Sequence, residues 1–136
     1  MVTYLAIIII STALAFISKI VEERTKNKKL VILLDIIVVL FPSIIAGIRY
    51  NVGTDYAGVY KPIFDELVNG HLEERRRNIE IGYILINKLV IFLHGNFNIV
   101  MFICSLITNS CIYAGLKHYK DKINVPLGLF FFMVIF

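Results

Sequence analysis

Cysteine is scarce, and the two present exclude more than they offer. Cys104 and Cys111 stand in one apolar run. Seven residues are two helical turns, about 10.5 Å of rise, which is beyond disulfide reach. They read as packing residues. Histidine is equally sparse. His71, His94 and His118 fall on separate segments, too far apart to suggest a metal site, so the sequence carries no metal-site signature and leaves any cofactor open. Phosphate-binding loops, nucleophile elbows and dinucleotide fingerprints are missing. Internal repeats and low-complexity tracts are missing too. The 14 basic residues form short clusters between apolar runs. No basic arm with interleaved aromatics appears, so nucleic acid is not an expected partner.

What the chain has is apolar surface. Hydrophobic residues make up 58% of its 136 positions, against roughly 45–50% in soluble domains. Mean hydropathy is +0.78. No soluble core of this size hides so much. The expected class is an all-α polytopic membrane protein with about three to five transmembrane helices, all of 1–136 forming one membrane domain. The lipid bilayer is its first partner, and the net charge of +4 reads as membrane topology.

Residues 2–20 are uncharged until Lys19 and long enough to cross a bilayer of about 30 Å. A signal peptide would need a basic start, which is absent. Residues 30–48 form the second expected span, interrupted by Asp35 and by Pro42-Ser43. Pro42 should kink it, and Ser43 can re-satisfy a freed backbone group. Asp35 is expected to pair with Lys28 and Lys29, at the nearby boundary. Residues 99–116 make a clear further span. Residues 125–136 are apolar but too short to cross as a helix, so the chain is expected to be the N-terminal part of a longer one.

Two segments read differently. In the polar stretch 49–78, Tyr56, Val59, Tyr60, Ile63, Phe64, Leu67 and Val68 recur at helical spacing, with Pro62 interrupting. Two short turns or a kinked helix along the membrane surface are expected. Residues 79–94 are apolar except for Glu80, Asn87, Lys88 and His94, a thin polar stripe. This segment is marginal as a span and suits a membrane-hugging helix. Gly95-Asn96-Phe97-Asn98 reads as a turn. If 79–94 crossed, the basic majority would place the 49–78 loop in the cytoplasm. If it stays on one side, the basic clusters at 24–29 and 117–122 share the cytoplasmic face and the 49–78 loop faces outward. The second arrangement is expected, with Arg75-Arg76-Arg77 on the outer side as its cost.

The most informative stretch follows the second span: Gly47-Ile48-Arg49-Tyr50-Asn51-Val52-Gly53-Thr54-Asp55-Tyr56. An arginine and a carboxylate at the lip of a membrane segment are costly to place and rarely idle. An interfacial anchor would explain Arg49 and Tyr50, but it gives Asp55 no role. Together with Tyr60, Phe64, Glu80-Ile81-Gly82-Tyr83, Leu85, Asn87-Lys88-Leu89 and Asn96-Phe97, this stretch resembles the EpsG family. These are the Wzy-like membrane proteins of bacterial exopolysaccharide and capsule synthesis. The likeness covers nearly the whole chain, and Arg-x-x-x-Gly-Thr-Asp-Tyr is its specific part. Ile81 departs mildly, standing where family members often carry proline. A looser likeness to GT-C glycosyltransferases implies an incomplete bundle of that type, with an acidic residue in an outer loop ahead of a membrane-hugging helix.

The resemblance implies glycosyl transfer at the outer face of the bacterial inner membrane, between repeat units carried on polyprenyl diphosphate. Other polysaccharide-assembly membrane proteins would be further partners. Asp55 would activate or orient the acceptor hydroxyl, and Arg49 would hold the departing diphosphate in its planar fork. Glu80 is a second acidic candidate. Tyr50, Gly53, Thr54, Tyr56 and Tyr60 would bind substrate, the tyrosines by stacking on sugar rings and Gly53 by close backbone approach. A structural role stands beside each of these, since an Arg49–Asp55 ion pair would fold the loop with no substrate at all. The competing function is a non-catalytic small membrane protein, an accessory subunit or a degenerate polymerase remnant. As an N-terminal portion, this chain by itself is expected to make no polymer.

Overall fold

The structure is a computed structural model that describes residues 2–25, 27–48, 56–70 and 79–135. Among these residues the regular elements are all helical. In chain order they are α1 (Val2–Arg24), α2 (Lys28–Ile48), a π-helical turn (Tyr56–Tyr60), α3 (Lys61–Val68), α4 (Ile81–Phe92), α5 (Phe97–His118) and α6 (Val125–Ile135). Three are long and apolar enough to cross a membrane. They run over Tyr4–Arg24, Lys28–Ile48 and Phe97–His118, with mean hydropathies of 2.2, 2.7 and 1.9. The protein is an all-α polytopic membrane protein.

Each long helix runs past its apolar stretch into charged residues. Lys, Arg and Glu are good helix formers, so the ladder continues until a capping residue stops it. Asn27 begins α2, its side-chain Oδ1 accepting from the Lys29 N–H at 3.2 Å. Pro42 sits inside α2. The Ser43 hydroxyl donates to the Val39 carbonyl at 2.8 Å. That is one residue beyond the Val38 carbonyl whose partner the proline removes, so Ser43 does not restore the lost bond itself. Pro62 stands at the first turn of α3, where its missing N–H costs nothing. The apolar pattern over 56–68 is accordingly divided into a π-helical turn and a short helix.

The chain divides into two compact units, residues 1–44 with 106–136 and residues 45–105. The first has a core of Ala15, Val38, Tyr113, Val125 and Leu129. The second centres on Tyr56, Phe64, Val90, Phe97 and Val100. Polar residues are buried alongside them: Ser11, Ser18, Ser43, Asn87 and Asn109. Large apolar side chains such as Ile9, Phe16, Ile32, Leu33, Ile107 and Phe131 point outward. This inside-out distribution would be a liability in water. In hydrocarbon it is what small and polar residues packing between helices produce.

α4 ends in a Schellman motif. The Gly95 N–H reaches back to the Val90 carbonyl at 2.8 Å and the His94 N–H to that of Ile91 at 2.9 Å. His94 takes the left-handed conformation this needs, with φ 55°. Asn96 then caps α5, its Oδ1 accepting from the Ile99 N–H at 3.2 Å. The expected turn at 95–98 therefore lies at 93–96, and Phe97 is the first helical residue and buried.

Candidate functional site

Arg49, Tyr50, Gly53, Thr54 and Asp55, the heart of the sequence-predicted site, lie outside the described residues. The structure describes what holds the chain on either side of them. Before them, Gly47 near the end of α2 lies against α5. A Cβ there would stand 2.9 Å from the Phe102 Cβ and 3.3 Å from the Asn98 carbonyl oxygen. Only glycine permits so close an approach. After them, Tyr56 is 4% exposed. Its ring meets Phe97 edge-on at 5.1 Å, and Phe97 is also met by Phe64 at 5.7 Å. Both flanks of 49–55 are thus fastened to the opening turns of α5.

Tyr60 and Glu80 are described. Tyr60 is 39% exposed, and its ring meets Tyr83 edge-on at 5.3 Å. The Tyr83 hydroxyl donates to the Tyr60 carbonyl at 3.1 Å, which ties α4 to the π-helical turn. Burial pushes the Tyr83 phenol up to about 12, so it stays a proton donor at neutral pH. Glu80 is exposed at the N-cap of α4, and its backbone carbonyl accepts from the N–H groups of Tyr83 and Ile84 at 3.0 and 3.2 Å. Its carboxylate makes no capping bond, leaving a negative group at the positive end of a helix dipole.

Asn87 adds a feature that spacing alone did not reveal. It is fully buried, and its Nδ2 donates to the Tyr83 carbonyl at 2.7 Å, while its Oδ1 has no hydrogen-bond partner. In sequence it is one polar position in a thin stripe, and nothing there distinguishes a buried asparagine from an exposed one.

A second polar constellation occupies the first unit. Asp35 Oδ1 accepts from the Ser18 hydroxyl at 2.5 Å and the Tyr113 hydroxyl at 2.7 Å. Its Oδ2 pairs with the Lys117 Nζ at 3.1 Å. Lys117 also bridges to Glu22 at 2.7 Å, and Glu22 to Lys120 at 2.5 Å. The Glu22 carboxylate holds the Lys120 ammonium above the usual lysine range. Asp35 therefore finds its cation on α5, and not at Lys28 or Lys29 as its sequence neighbourhood suggested. The readable signals were Ser18 with Glu22 and Tyr113 with Lys117, each four residues apart and so on one helical face.

The EpsG family model matches residues 32–136, from inside α2 through the flanks, the aromatic cluster and α4–α6. The chain belongs to the EpsG family. No curated protein and no solved structure matches it. In this EpsG-family chain the matched region holds every candidate site residue, from Arg49 to Glu80, together with the Asp35–Lys117 pair.

Proposed function

We propose that this EpsG-family protein serves in a membrane glycan polymerase, which joins polyprenyl-diphosphate-linked repeat units into exopolysaccharide or capsule. The observation that carries the reading is the family match over residues 32–136, which takes in the whole arginine–aspartate segment. The anchoring of both flanks on α5 supports it, since a reacting group must be held by a rigid element. In the proposed step the acceptor hydroxyl attacks the anomeric carbon and gives its proton to Asp55. The bond to the diphosphate breaks, and Arg49 offsets the charge gathering on the departing polyprenyl diphosphate. Glu80, exposed at the start of α4, supplies a second carboxylate for positioning. Tyr60 offers a partly exposed ring to a sugar. Tyr50, Gly53 and Thr54 complete the substrate-binding set, and Tyr56 serves it by anchoring the segment.

The reading includes an orientation. Residues 49–78 face the outer side of the bacterial inner membrane, and α4 lies along the surface. α4 has 12 residues, about 18 Å of helix, which supports a helix that does not cross some 30 Å of hydrocarbon. Deleting the gene and separating polyprenyl-linked glycans by gel tests the function. Loss of the ladder, with single repeat units left on their carrier, is expected. An unchanged ladder overturns the proposal.

A further inference from the structure

The first unit holds a cavity lined by none of the residues assigned to the glycan-polymerising site. It measures about 200 Å³ and lies between α1, the end of α5 and the stretch leading into α6. Its base is apolar, with Ala15 and Val125 buried beside the Tyr113 ring. Its mouth carries Lys19, Lys117 and Lys120 together with Glu22, Glu23 and Asp121, so charges of both signs balance. They are unequally committed. Glu22 is bridged by both Lys117 and Lys120, and Lys117 is shared further with Asp35. Lys19 and Glu23 stand 4.0 Å apart with side chains 38% and 65% exposed, a weak pair at most. Asp121 is exposed, and the Lys120 side chain is 49% exposed.

We propose that this cavity binds the zwitterionic headgroup of a membrane phospholipid, a phosphate linked to a primary ammonium. The phosphate sits on Lys19 and Lys120, and the ammonium sits between Glu23 and Asp121. The glycerol end lies along Ala15 and Val125. Location supports this, because the cavity opens where α1 and α5 pass from apolar to charged residues, the depth of lipid headgroups. Volume supports it too. At about 30 Å³ per water the space equals roughly six or seven waters, room for a compact headgroup. Charge decides the class. A pocket for anionic lipid carries a surplus of basic groups, whereas here three carboxylates stand among three ammonium groups. An anionic headgroup would meet repulsion that no net positive charge offsets. A zwitterion satisfies both signs.

Native mass spectrometry of the purified chain, offered phosphatidylethanolamine, phosphatidylcholine and phosphatidylglycerol of equal chain length, tests the assignment. Phosphatidylethanolamine should be retained about tenfold better than phosphatidylglycerol, equivalent to roughly 1.4 kcal/mol. It should also exceed phosphatidylcholine, whose quaternary nitrogen donates no hydrogen bond. The double variant Glu23→Gln/Asp121→Asn changes only exposed side chains and should erase the preference while helix content stays intact. Lys19→Gln should weaken retention of all three lipids. Equal or better retention of phosphatidylglycerol by the unmodified chain overturns the proposal, as does an unchanged preference in the folded double variant.

Discussion

Asp35 shows how a single carboxylate is tolerated in a membrane helix. A hydroxyl from α1, a phenol from α5 and the Lys117 ammonium together satisfy it. Its side chain is 22% exposed and that of Lys117 is 21% exposed, so the pair is shielded from solvent but not sealed. Removing one partner of a buried pair costs about 3–5 kcal/mol, and the residual exposure places Asp35→Ala near the lower end, about 3 kcal/mol. The double variant Asp35→Leu/Lys117→Met should cost clearly less, because no charge is left uncompensated and Glu22 keeps Lys120. Helix loss on graded denaturation in detergent, followed by circular dichroism, checks both. The sequence pointed to Lys28 and Lys29 for a reason that geometry defeats. They precede Asp35 by seven and six residues, about 10.5 and 9 Å along the same helix. Lys117 is far away in sequence but close in space, and only tertiary packing makes that pairing visible.

At the scale of elements, two glycines that look alike in sequence behave differently. Gly47→Ala would place a methyl 2.9 Å from the Phe102 Cβ and 3.3 Å from a backbone oxygen, neither of which can swing away. Overpacking of this kind costs about 1–3 kcal/mol, against up to roughly 1 kcal/mol gained in helix propensity. The variant should be less stable. At Gly128 the nearest atom is the Leu116 Cδ2 at 2.6 Å, the tip of a side chain that can rotate, so Gly128→Ala should be near neutral in the same assay. His94→Gly should stabilise the α4–α5 turn by about 1 kcal/mol, since a non-glycine residue in the left-handed conformation carries a cost of that order. The spans were legible from the length of their apolar runs, and the 56–68 helical stretch from its apolar periodicity. The division at Pro62 and the shortness of α4 were legible as well. The place of the α4–α5 turn was missed because Gly95 and Asn96 were read as the opening of a turn, when they are the close of one helix and the cap of the next.

At the scale of the whole molecule, membrane character was plain in composition, because three apolar stretches long enough to span leave little choice. Orientation depends on where basic residues cluster. Gly58 is exposed with no heavy atom within 4 Å of an added Cβ, which makes it a safe site for a labelling cysteine. After Cys104 and Cys111 are replaced by alanine, a membrane-impermeant thiol reagent should label Gly58→Cys in intact cells and leave Thr25→Cys unlabelled. The reverse pattern would contradict an outward 49–78 loop. The candidate site was legible as a motif of residue types, and the described structure adds the anchors at Gly47 and Tyr56 that no motif reveals.

The central claim is tested most directly at Asp55. Asp55→Asn in the chromosomal gene keeps shape and hydrogen bonding while removing charge and basicity. If Asp55 accepts the acceptor's proton, polymer formation should fall about 10²–10⁴-fold at unchanged protein level, with single repeat units accumulating on their lipid carrier. A glycan ladder of normal length from Asp55→Asn would contradict the account.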